Sequence, residues 1–191
     1  MMQGLQAMKD SAALLVYWDG EASDISWPEP CIVEYVTNGQ GRINSMSKEA
    51  VNAMIADQDM SVHDLISIGN IRKKYSPQTS TEKTVMQTVI GDMMSVYPSE
   101  SYGIIFGSHG SGWLPTITGT RSIGQDGGRY SSDTALIPEL AEVLRTVNPQ
   151  KFDFVLFDAC MMGCAEVYYE LKDAVAYTHL RAHETGRNLV C

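Results

Sequence analysis

The chain predicts an α/β domain built on a mostly parallel sheet, and three observations carry the prediction. Short apolar, β-branched runs alternate with stretches of helical spacing along the 191 residues. The hydrophobic share is 44%, enough for one globular domain with a real core. Two of the apolar runs end in small, polar turns, and sheets of this class bind ligands beyond the carboxyl ends of their strands.

The elements follow in order. Ala12–Trp18 (AALLVYW) is a buried strand that stops at the turn signal Asp19-Gly20. Residues 31–36 (CIVEYV) are β-branched and aromatic and close at Asn38-Gly39, a second strand. Ser47 caps a helix over 47–57, with Val51, Met54 and Ile55 at helical spacing. A stronger helix covers 81–96: Val85, Val89, Ile90, Met93 and Met94 share one apolar face, and Pro98 lies just past its end. Residues 102–106 form the third strand. A helix over 132–147 has Pro138 in its first turns and Pro149 after it. Residues 152–157 (FDFVLF) are the fourth strand, interrupted only by Asp153, and 165–172 are the last helix. No internal repeat or low-complexity linker divides the chain.

Charge narrows the partners. Fourteen basic against 23 acidic residues leave a net charge of −9, with a sequence pI near 4.8. That balance argues against nucleic acid or an anionic membrane as main partner and would tolerate a cationic substrate. The cysteines are Cys31, Cys160, Cys164 and Cys191, with no CxxC and no zinc-ribbon spacing, so neither a disulfide framework nor structural zinc is expected. No run of 18 apolar residues is present to form a transmembrane segment. The start, MMQGLQAMKDSAALLVYW, lacks the basic region and cleavage site of an export signal.

Chemistry concentrates at two strand ends. In SYGIIFGSHGSGWLP, His109 follows the third strand, fenced by Gly107, Gly110 and Gly112; Cys160 follows the fourth. If those strands are neighbours, the two face each other across one crevice. An imidazole takes the proton of a thiol, the thiolate attacks a carbonyl, and the imidazole then protonates the leaving amine. The developing oxyanion needs donors in place, and the amides of Gly110 and Cys160 are the candidates. Asp158, two residues before Cys160, is placed to floor a pocket for a basic side chain. Taken singly, each has a plainer reading: a core thiol, a hydrogen-bonded turn histidine, a capping aspartate. Cys164 reads as a small packing residue, and Met161 and Met162 as core.

The stretches YGIIFGSHGSGWLP and FDFVLFDACMMGCAEVYYELKD together resemble the clostripain-like cysteine peptidases of the caspase-like clan. His109-Gly110 and Asp158-Ala159-Cys160-Met161-Met162-Gly163 occupy the places of that family's two motifs, and the second motif is the more specific. The lead-in YSPQTSTEKTVMQTVIGDMMSVYPSESYG is also similar, so the resemblance runs from about Ala12 to Val175. It implies a caspase-like three-layer α/β/α sandwich, a His109–Cys160 dyad and cleavage after Arg or Lys selected by Asp158. It further implies self-cleavage between the motifs, where Arg121 and Arg129 both lie in a Gly-, Ser- and Asp-rich loop. The partner is then a peptide or protein with Arg or Lys before the cut. Some relatives need calcium, but no carboxylate cluster here has the spacing of a calcium loop, so no cofactor is expected. Family precedent is a bacterial exported or surface enzyme.

After Val175 the pattern stops, four strands being counted where six are usual. Residues 1–175 are therefore expected to be a partial peptidase domain, C-terminally truncated, and 176–191 a foreign tail whose His179, His183 and Cys191 are incidental rather than a metal trio. Such a fragment is expected to be poorly soluble or inactive, and a non-catalytic scaffold that binds a peptide or protein partner is the alternative function. A nucleotide-binding domain is disfavoured, because no GxGxxG or GxxxxGK[ST] follows the first strand.

Overall fold

Strand β1 (Ala12–Trp18) pairs antiparallel with β2 (Cys31–Thr37) over seven residues, Ala12 opposite Thr37 and Trp18 opposite Cys31. The computed structural model describes residues 2–8, 11–19, 28–38, 40–57, 60–111, 122–126 and 133–176. They divide into two compact units, 1–78 with 95–97, and 79–94 with 98–191.

Among the described residues the first unit has an antiparallel sheet ordered β1, β2 and β3 (Asn70–Lys74), with the helices α1 (Met2–Ala7), α2 (Lys48–Ala56) and α3 (Val62–Ile68). One face of the sheet packs Cys31, Val33 and Tyr35 against Leu5, Val51, Met54 and Ile66. The antiparallel order departs from the expected parallel one. An antiparallel pair can be joined by a short connection, whereas a parallel pair needs a crossover of a dozen or more residues. Strand β3 (Asn70–Lys74, NIRKK) escapes a hydropathy reading, since all five residues are exposed. It forms because it completes β2: Glu34, 6% exposed, meets Arg72 at 3.6 Å and accepts from the Asn70 amide at 3.5 Å. A buried carboxylate needs such partners.

The second unit carries the parallel pair. Helix α4 (Lys83–Val96) precedes β4 (Gly103–Gly107), then come β5 (Ser122–Asp126), β6 (Asp133–Leu136), α5 (Ile137–Val147), β7 (Phe154–Asp158) and α6 (Ala165–Leu171). β4 and β7 run parallel in unbroken register from Gly103↔Phe154 to Gly107↔Asp158. Their inner face, Ile104, Phe106, Val155 and Phe157, packs on a core of Ile137, Leu140, Leu144, Phe152 and Leu171, with Phe106 and Phe157 stacked at 5.7 Å. Between them β5 and β6 make a short antiparallel ribbon with a bulge. The helix expected over 132–147 begins only at Ile137. Pro138 fits its first turn, where a missing N–H is no loss, and the residues ahead extend to pair with β5. The α/β class holds, with parallel order confined, among the described strands, to β4 and β7.

Candidate active site

The site grows out of the β4–β7 register. Gly107 and Asp158 are the last paired residues, and His109 and Cys160 each stand two residues beyond them. Pairing reaches one step further, the Ser108 N–H donating to the Asp158 carbonyl at 3.3 Å. His109, Asp158 and Cys160 are all exposed at this strand edge. Parallel pairing thus puts His109 and Cys160 at matching positions beyond one carboxyl edge.

The two turns touch through Gly110. A Cβ built there would stand 2.6 Å from the Cys160 carbonyl oxygen, 2.9 Å from Met162 Cγ and 3.0 Å from Met162 Sδ. Such approach is closed to any residue with a side chain. Met162 is 1% exposed and anchors the cysteine turn in the core. Met161, expected in the core, is instead 39% exposed and takes a φ of 60°; turning the chain there sends Cys160 outward and Met162 inward. Of the three glycines around His109, Gly107 meets open space among the described residues and Gly112 lies outside them.

The open space at Gly107 bears on Asp158. Paired residues project to the same face of a sheet, so Asp158 has no side-chain neighbour across the pair at that position. Cys164 is half-buried and packs against the core, as expected. The remaining described thiol, Cys31, is 2% exposed; burial pushes its pKa up, with Lys74 opposing.

Other predicted positions fall elsewhere. Arg121 and Arg129 lie outside the described residues, as do His179, His183 and Cys191. Among the described residues, no group of three or more His, Cys, Asp or Glu could hold a metal ion, and no helix is long and apolar enough to cross a membrane. Ile123 and Gly124 are not marked by any signal in the sequence. Gly110 forms an antiparallel bridge with Ile123, and the Gly124 N–H donates to the His109 carbonyl at 2.9 Å. The run SIGQD, with one apolar residue, gives no strand signal.

The parallel pair β4–β7, with a histidine turn and a cysteine turn packed together at its carboxyl edge, marks an α/β protein with a candidate thiol–imidazole site. Residues 1–182 match the family model described as the clostripain family, and the chain belongs to that family. The match continues past Val175, where the motif resemblance ended. Among solved structures the chain is similar to a secreted C11 cysteine protease from Bacteroides thetaiotaomicron in complex with an irreversible peptide inhibitor. The identity is 29% and the TM-score 0.61, over 91% of this chain and 40% of that one. It also shares the fold of a second secreted C11 cysteine protease from Bacteroides thetaiotaomicron, "iotapain", at 19% identity and a TM-score of 0.57, over 87% of this chain and 40% of that one. The chain thus spans about 40% of the length of these structures. No curated protein matches it.

Proposed function

We propose that this chain carries the catalytic centre of a cysteine endopeptidase that cuts after Arg or Lys. The observation that carries the reading is the register: Gly107 pairs with Asp158, so His109 and Cys160 leave neighbouring strands at the same level. Cys160 is the nucleophile. His109 takes its proton, and the thiolate attacks the scissile carbonyl. The amides of Gly110 and Cys160 are the donors for the oxyanion, held in one place because the two turns are packed together. His109 then protonates the leaving amine, and a water completes hydrolysis by the same path in reverse. Asp158 selects the basic side chain, and the open space at Gly107 leaves its carboxylate accessible.

Self-processing belongs to the same reading. Arg121 immediately precedes β5 and Arg129 lies between β5 and β6, so a cut at either separates the histidine-bearing part from the cysteine-bearing part. Replacing each arginine by Ala, singly and together, identifies which bond breaks: the variant that stays a single chain on denaturing gels carries it.

The deciding experiment is hydrolysis of fluorogenic Arg, Lys and Glu substrates by the wild type and by Cys160→Ala. Cleavage of the Arg or Lys substrate, abolished in Cys160→Ala, is expected. Undiminished cleavage in that variant refutes the nucleophile assignment, and binding of an arginyl peptide without turnover returns the site to a non-catalytic scaffold.

A further inference from the structure

We infer that β5 positions His109, and that Gly124 is the residue through which it does so. The inference rests on the dyad reading above and adds a positioning residue to it.

β4 alone does not hold the histidine. Its pairing with β7 ends at Gly107, and one further bond, 3.3 Å long, leaves from Ser108. From there the histidine turn is bound to β5: the Gly124 N–H donates to the His109 carbonyl at 2.9 Å, and Gly110 bridges Ile123. β5 is itself fixed. Ile123 is 3% exposed in the core and pairs with Ala135, 2% exposed, on β6. β6 runs directly into α5, whose Leu140, Val143 and Leu144 are fully buried. A chain of contacts therefore leads from the core through Ile123 to the backbone of His109.

Gly124 makes the contact possible. The β5–β6 register shifts between Ile123 and Asp126, so Gly124 lies within a bulge, and its φ is +78°. A bulge with a left-handed glycine re-aims the backbone away from the ladder. Here it directs the Gly124 N–H toward His109. An L side chain is strained at that φ, and its Cβ would stand 3.0 Å from Thr81 Cγ2. Gly124→Ala must therefore shift β5 and loosen the histidine turn without touching the imidazole or the thiol.

The test is the pH profile of Cys160 alkylation by iodoacetamide, read by peptide mass mapping on the whole chain. Wild type, His109→Ala and Gly124→Ala are compared, with folding followed by circular dichroism. His109→Ala should move the profile toward that of an ordinary thiol, and Gly124→Ala should move it the same way, lowering the rate near pH 6 by about tenfold. A folded Gly124→Ala with the wild-type profile overturns the inference. Wild type and His109→Ala profiles that coincide refute the dyad instead, and the positioning role falls with it. If Gly124→Ala does not fold, Gly124→Asn with Thr81→Ser replaces it, because Asn tolerates a left-handed φ and Ser removes the methyl. That pair should keep the wild-type profile; a folded pair displaced to the His109→Ala profile overturns the inference.

Discussion

Gly107 and Gly110 flank His109 for different reasons, and substitution separates them. At Gly107 a Cβ meets nothing among the described residues, so Gly107→Leu is expected to leave the thermal midpoint nearly unchanged. It fills the space over Asp158, and KM for an Arg substrate is expected to rise about tenfold with kcat nearly constant. At Gly110 a Cβ collides with the Cys160 carbonyl. Gly110→Ala must displace one turn from the other, and a misplacement near 1 Å is expected to lower kcat about 100-fold. Steady-state kinetics on both variants distinguishes an open site from a packed one. The thiols differ as sharply. Cys160 is exposed, whereas Cys31 is buried and its pKa raised. Iodoacetamide should label Cys160 in the folded chain and Cys31 only after denaturation, as peptide mapping will show. The placement of His109 and Cys160 just beyond two apolar strands was legible at this scale because reactive residues after apolar runs stand out. The need for glycine at 110 but not at 107 was not, because it depends on an atom 50 residues away in the chain.

At the scale of elements, local signals and tertiary pairing divide the outcome. Helix α3 begins at Ser61, whose hydroxyl accepts from the Asp64 N–H while Asp64 returns a bond to the Ser61 N–H, a capping box. Ser61→Ala is expected to destabilise the fold by about 1 kcal/mol, measured by urea denaturation. The Ser61 hydroxyl and backbone N–H hold the Asp64 carboxyl below its ordinary range. A carboxylate with a lowered folded pKa contributes stability that is present above its unfolded value and lost as pH falls through the folded one. The stability gap between wild type and Asp64→Asn should therefore close in acid. Helix α5 buries Leu144 completely, and Leu144→Ala is expected to cost about 2–5 kcal/mol. Its apolar spacing was legible in the sequence; its start was not, because β6 competes for residues 133–136 by pairing with β5. Strand β3 was invisible, since a basic, exposed run becomes a strand only beside a buried Glu34.

Across the whole molecule the net charge of −9 acts over a distance. On the proposed reading of a peptidase that binds cationic side chains, an acidic surface raises the encounter rate and salt screens it. The value of kcat/KM for an Arg substrate should fall several-fold between about 10 and 150 mM salt, and the ratio of Arg to uncharged substrate should fall with it. A salt-independent ratio would confine charge recognition to Asp158 and its immediate surroundings.

The α/β class, the four apolar strands and the pair of turns bearing His109 and Cys160 are all written in the amino-acid order. Each of these rests on short-range patterning: alternating periodicities, runs of β-branched residues, and glycine and proline punctuation. Tertiary structure alone decided that β1 and β2 run antiparallel, that Gly110 lies against the Cys160 carbonyl, and that a bulged β5 holds the backbone of His109. Those outcomes depend on backbone hydrogen bonds and contacts between residues far apart in the chain. Hydropathy patterns do not encode them, because an N–H or a carbonyl is present at nearly every position whatever its side chain.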